Sequence, residues 1–133
     1  MQNSLTMDVI EKTLYGLGVR MQSASLNVAN MNTPQFVRHE VSFERQLHDI
    51  IRGPAQLPLK TSDPQHISNV TRTAAEVKPE VRVVNYEIYR GDSNNVDPET
   101  ETARLTETRM MYQAMASAMG KKLRNMRRVM KTV

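Results

Sequence analysis

Met7-Asp8-Val9-Ile10-Glu11-Lys12-Thr13-Leu14-Tyr15-Gly16-Leu17-Gly18-Val19-Arg20-Met21 opens an apolar heptad that runs on through Ala24, Val28 and Met31. Counted from Met7, Ile10, Leu14, Leu17 and Met21, the steps are three and four without a break. That is the seam of a helix built to lie along another helix. The heptad ends in Asn27-Val28-Ala29-Asn30-Met31-Asn32-Thr33-Pro34-Gln35-Phe36. Asparagine competes for helical backbone bonds, and a residue before proline is pushed out of the helical region. A helix over about Leu5 to Asn30 is therefore expected, with its end at this run.

The far end of the chain carries a matching stripe. Asp97 is a good N-cap and Pro98 suits the first helical position. Glu99 and Glu101 add negative charge at the positive end of the helix dipole. Leu105, Tyr112, Met119 and Met126 recur at seven, and Thr108, Met115, Lys122 and Val129 form the partner row. Lys122 breaks that row and Leu123 and Met130 continue it, as a 3.6-residue helix drifts against a strict heptad. Carried to Met130, the helix is about 50 Å long. One small globule cannot bury such a helix, so it needs a partner helix or a neighbouring subunit.

All ten Met lie at or before Met31 or at or after Met110, and all six Pro lie from Pro34 to Pro98. Methionine adapts to several packing neighbours, and proline stops helices. The ends suit helix and the middle does not. Three segments follow: residues 1–36 as the first helix and its turn, 37–95 as an irregular middle, and 96–133 as the second helix, all within one structural domain. The fold class expected is mainly α, with the two long helices packed as an antiparallel coiled coil. In the middle, Ser42 to Arg52 reads as a short helix with Phe43, Leu47, Ile50 and Ile51 on one face, stopped by Gly53 and Pro54. Residues 53–79 read as linker. Val81 to Tyr89 reads as a strand with Val84, Tyr86 and Ile88 on one face, followed by a turn at Gly91-Asp92. Gly16 and Gly18 fault the first helix and suggest a bend or a close backbone contact.

Composition excludes several classes of chemistry. There is no Cys, so no disulfide and no thiolate site. His39, His48 and His66 show no helical metal-ligand spacing. No nucleophile elbow or glycine-rich phosphate loop occurs. Catalytic, cofactor-binding and metal roles are therefore assigned to no residue, and the chain reads as a non-enzyme. Asn69-Val70-Thr71 fits a glycosylation acceptor, but nothing else suggests secretion. No apolar run is long enough to span a bilayer, and no cleavable signal peptide is visible.

The net charge is +4, and no acidic residue follows Glu107. Lys121, Lys122, Arg124, Arg127, Arg128 and Lys131 crowd the end. Such a tail can bind nucleic acid or an anionic membrane, or simply complement a helix dipole. A small basic helical nucleic-acid-binding protein is thus the alternative reading. Against it, Met126 and Met130 interrupt the tail as packing residues do. A membrane-surface amphipathic helix is a third reading. Asn27 and Asn30 share a helix face beside the seam. They read either as a frayed last turn or as amides that fix register between helices.

Asn27-Val28-Ala29-Asn30-Met31-Asn32-Thr33-Pro34-Gln35-Phe36 resembles the Asn-(Ile/Leu/Val)-Ala-Asn-x-x-Thr-Pro-Gly-(Tyr/Phe) signature of the bacterial flagellar rod and hook axial family. Asn94-Asn95-Val96-Asp97, Glu101 and Tyr112-Gln113 resemble the Gly-Asn-x-Val-Asp, Glu and Tyr-Gln pattern of its short proximal-rod members. The signature residues are then Asn27, Ala29, Asn30, Asn32, Thr33, Pro34 and Phe36, with Asn95, Val96, Asp97, Glu101 and Gln113. Three positions depart, one of them Ser93, where the second pattern is less strict about Gly. Gln35 stands where the family has Gly, which predicts a different turn after Pro34. Leu26 is bulkier than the small residue expected there.

The resemblance implies a structural subunit of the proximal rod of the flagellar basal body. Such a subunit assembles helically, transmits torque and lines the export channel. Met7, Ile10, Leu14, Leu17, Met21 and Val28 would pack the first helix. Leu105, Tyr112, Met115, Met119, Leu123 and Met126 would pack the second. Implied partners are copies of itself, other proximal rod proteins, the junction protein between the MS ring and the rod, the MS ring and the flagellar export gate. No nucleic acid and no cofactor are implied. The implied location is the rod within the periplasm, reached by type III export without a cleaved signal. On this reading Leu17→Asp is expected to block assembly and leave export intact.

Overall fold

A computed structural model describes residues 2–52, 74–84 and 91–131. Helix α1 spans Gln2–Ala29. Strand β1 covers His39–Ser42, helix α2 Glu44–Arg52 and strand β2 Glu80–Val83. Helix α3 runs over Pro98–Lys131. The fold is mainly helical, with long terminal helices and a small two-stranded sheet between them in sequence. The end of α1 meets the start of α3 at Asn27 and Glu101, while Met115 packs near Leu17. The two long helices are therefore antiparallel.

The core lies where the middle segment crosses α1. Leu17, Val41, Phe43, Leu47, Ile50, Ala74 and Val77 form one buried cluster, with Val9, Val19 and Met115 packed against it. The period-3.6 face of α2 supplies Leu47 and Ile50, and Ile51 is exposed. Glu44 and Arg52 suit the two ends of the α2 dipole. The strands pair antiparallel, with Val41 opposite Val81 and His39 opposite Val83.

Gly16 is a place of close approach. A Cβ built there would stand 2.7 Å from the Phe43 ring, so the ring lies against bare α1 backbone. Gly18 has nothing within 4 Å of such a Cβ. Of the two functions proposed for these glycines, close contact applies to Gly16.

Three middle-region expectations need correction. Ser42 belongs to β1, because its backbone continues the ladder opposite Glu80. Phe43 is buried just ahead of α2 rather than within it. The expected linker is packed at its end: a 3-10 turn at Ala74–Glu76 leads Val77 into the core. Gln46 then holds both main-chain groups of Lys78, at 3.0 and 3.2 Å. The strand expected over Val81 to Tyr89 appears as Glu80–Val83 with Val84 buried beyond it. Gly53, Pro54, His66, Asn69, Tyr86, Ile88 and Tyr89 lie outside the described residues.

The helix seam is unevenly covered. Leu17 is 2% exposed, and Met7, Ile10, Leu14, Met21 and Val28 are half-buried. On α3, Leu105, Met115 and Met119 are half-buried, while Tyr112, Leu123 and Met126 are exposed. Among the described residues, no helix is long and apolar enough to cross a membrane.

Candidate assembly junction

The turn that follows α1 carries buried main-chain carbonyls at Asn30, Met31 and Thr33 that need partners. Asn94, itself fully buried, supplies them. Its amide nitrogen lies 3.0 Å from the Asn30 carbonyl, 3.2 Å from that of Met31 and 2.8 Å from that of Thr33. Its side-chain oxygen accepts from the Val96 amide at 2.8 Å. The Asn30 side chain donates back to Leu26 and accepts from the Thr33 hydroxyl. Of the two readings of the asparagine run, the fixed junction is the one the geometry supports.

Asn27 does a different task. Its side-chain amide pairs with both main-chain groups of His39, accepting at 2.9 Å and donating at 2.8 Å, as a neighbouring strand would. Arg20 covers the same edge at the Val41 carbonyl, 2.9 Å away. Two α1 side chains thus seal the outer edge of β1. Arg20 also lies over the Phe43 ring, 4.9 Å from its centre, and pairs with Glu44. Burial raises the Glu44 carboxyl, but the Phe43 and Glu44 amides and Arg20 outweigh it, so the group stays below its ordinary value.

At the centre sits Glu101, 2% exposed. Its carboxylate accepts from Asn27 at 3.0 Å, from Arg38 at 3.1 Å and from Arg104 at 3.3 Å. Arg38 is buried as well and reaches Glu40 with its other nitrogen at 3.1 Å. Asn95 extends this knot. It accepts from the Arg38 amide at 2.7 Å and donates to the Val84 carbonyl. Buried charge is tolerable here because both Glu101 oxygens and both terminal nitrogens of Arg38 have partners.

Asp97 caps α3, accepting from the Glu99 amide at 3.1 Å and the Thr100 hydroxyl at 2.5 Å. The Thr100 hydroxyl, with the Glu99 and Thr100 amides, holds the Asp97 carboxyl below its ordinary value. Capping accounts for this acid without an active site.

The structure therefore brings Asn27, Asn30, Asn95, Val96, Asp97 and Glu101 to one end of the helix pair. Phe36 is half-buried, its ring 5.6 Å from that of His39. Ala29, Asn32, Thr33, Pro34 and Gln113 are exposed. Asn94 and Arg38 are part of the knot; Asn94 stands within the second motif but was left out of the signature residues, and Arg38 was assigned no role. The doubled asparagine before Val96 was the available signal for Asn94. Nothing in the spacing marked Arg38.

The turn after Pro34 resolves the departure at Gln35. Gln35 adopts φ 61° and Ser93 φ 62°, the left-handed region that glycine enters freely. The Gln35 amide donates to the Asp92 carbonyl at 3.0 Å, so the two left-handed turns are tied together. Gln35 takes up the conformation that Gly favours, and the expectation of a different turn is not needed.

The chain is 30% identical over 115 residues to the flagellar basal body rod protein FlgB of Borreliella burgdorferi, covering 84% of this chain and 85% of that one. The chain belongs to the FlgB family. FlgB of Borrelia hermsii is also 30% identical, over 112 residues, with 81% and 82% of the two chains covered. FlgB of Bacillus subtilis is 24% identical over 132 residues, with 94% and 92% covered. No family model matches the chain.

In this FlgB-family chain the strained turn yields a direct prediction. Gln35→Gly removes a left-handed strain of about 1–2 kcal/mol and adds unfolded-state freedom, for a net gain of roughly 0.5–1 kcal/mol. Urea unfolding would show a raised midpoint with an unchanged slope. An equal or lower midpoint would place the strain elsewhere.

Proposed function

We propose that this chain builds the proximal part of the flagellar basal body rod. It is a structural rod subunit, in keeping with the name its relatives carry. It works by packing rather than by chemistry. Copies stack helically into a tube that transmits torque and lines the export channel. Its neighbours are other proximal rod proteins, the junction protein between MS ring and rod, the MS ring and the export gate. It reaches the periplasm by type III export. Residues 1–36, 37–95 and 96–133 act as one structural unit.

The observation that carries this reading is the stripe on α3. Leu105, Met115 and Met119 are partly covered by the chain itself. Leu123 and Met126 continue the same face, and Met126 is still 40% and Met130 69% exposed. An apolar helix face left in water at this scale marks a protein contact. In the assembled rod, Met7, Ile10, Leu14, Leu17, Met21, Val28 and the α3 residues from Leu105 to Met126 together fill the packed interior.

The structure changes which substitution tests this. Leu17 is in the chain's own core, so Leu17→Asp would unfold the subunit rather than probe its assembly. Met126→Asp places a carboxylate on the exposed stripe instead. A strain lacking the native gene and carrying Met126→Asp is expected to form no rods and not to swim. The purified variant should melt like the parent. Normal basal bodies in that strain would remove the stripe from the assembly.

A further inference from the structure

Two charged faces stand at the same height on opposite helices. Asp8 lies nineteen residues before Asn27, and Gly120 lies nineteen residues after Glu101. Asn27 and Glu101 are hydrogen-bonded, so at ~1.5 Å per residue both points lie about 28 Å along the antiparallel pair. Asp8 and Glu11 are exposed, three residues apart and so on one face of α1. Tyr15, one turn on, is 58% exposed on the same face. Gly18 continues it with open space above its backbone. Helical spacing sets this face opposite the Leu17 side that packs into the core.

On α3, Lys121, Arg124, Arg127 and Lys131 are all exposed. Helical spacing sets Lys121, Arg124 and Lys131 on the side away from the Met119, Leu123, Met126 stripe, with Arg127 at its border. Asp8 and Glu11 make no ion pair among the described residues, and neither do these four cations. Lys12, partly buried, is the cation nearest in sequence to Asp8 and does not pair with it. The carboxylates and the basic face thus share a level and do not pair with each other within one chain.

We propose that the α1 face of Asp8, Glu11 and Tyr15 docks side by side on the α3 face of Lys121, Arg124 and Arg127 of a second copy. The proposal rests on the rod reading and specifies which faces of the subunit meet. The contact is heterologous: each copy offers an acidic face to one neighbour and a basic face to the other. Such a contact propagates around an axis instead of closing as a two-fold pair. Because the faces are level, neighbours stand parallel, and the exposed end of the α3 stripe comes into register with its counterpart. Opposite charges fix partner and register, and apolar contact around Tyr15 supplies adhesion.

Charge reversal tests this in a strain lacking the native gene. Asp8→Lys with Glu11→Lys sets like charges across every contact, and so does Lys121→Glu with Arg124→Glu. Each double variant alone is expected to lower rods per cell by about tenfold or more. Expressed together, the two kinds of copy alternate with opposite charges at every contact, and rods and swimming return. Joint rescue also shows that both variants fold and are delivered.

If each double variant alone builds rods normally, or if joint expression restores nothing, the pairing is wrong. Suppose instead that only Lys121→Glu with Arg124→Glu fails, and that this variant loses flotation with phosphatidylglycerol vesicles. The basic face then serves an anionic membrane, and the pairing is again overturned. Failure of the rod reading looks different: deleting the gene would leave rods intact.

Discussion

Replacing Glu101 by Ala is expected to destabilise the subunit by about 3–5 kcal/mol, the usual cost of leaving a buried charge without its partner. The substitution removes one carboxylate but orphans three donors, on Asn27, Arg38 and Arg104. Arg38 suffers most, because its guanidinium is buried and keeps only Glu40. Asn27 still holds His39 but loses its link to α3. Urea unfolding of the purified chain measures the loss. Glu101→Gln should cost clearly less, since it retains the shape and one acceptor. Arg38→Met with Glu101→Leu should also cost less than Glu101→Ala, because no charge is then stranded. If the double replacement is the worse of the two, the ion pair is not the source of the effect.

Phe43→Ala is expected to cost a similar amount, about 3–5 kcal/mol, through the cavity it opens beside Leu17. The loss has two parts. Buried apolar area disappears from the cluster of Leu47, Ile50 and Val77. The Arg20 guanidinium also loses the ring beneath it. The same contact can be probed from α1. Gly16→Ala drives a methyl into the ring and should destabilise by roughly 1–3 kcal/mol, less the gain of about 1 kcal/mol in helix propensity. Gly18→Ala meets nothing and should stabilise the subunit by about 1 kcal/mol. Equal effects at the two glycines would deny the close approach at Gly16.

The long helices were legible because their signals are local and repeated. The heptad from Met7 to Met31 and the cap at Asp97-Pro98 each state their element within a few residues. Helix α3 begins at Pro98 as that cap requires. The middle was less legible because its structure depends on distant partners. Phe43 is placed by the gap at Gly16, and Val77 by Leu17 and Ile50. No pattern within the middle segment encodes those contacts. For the junction, the asparagine run announced a special turn, but not what it does. Asn27 acts as a substitute strand, and that depends on where β1 passes. Arg38 was invisible because a lone arginine in a loop is ordinarily solvated. Only the burial of Glu101, 63 residues away, makes it a structural ion.

The carbonyls of the turn after α1 bear on the order of folding. Their partner, Asn94, lies 61 to 64 residues downstream. Glu101 reaches Asn27 across 74 residues. Closing loops of that length is slow compared with local helix formation. Helix α1 closes its own last carbonyls locally, through Asn30 and Met31, but the turn after it stays unlocked until Asn94 is in place. A chain cut short anywhere before Asn94 carries the heptad but not the lock. Its open carbonyls and sheet edge mark it as incomplete. The long reach of these few amides makes completeness of the polypeptide a condition for a finished subunit.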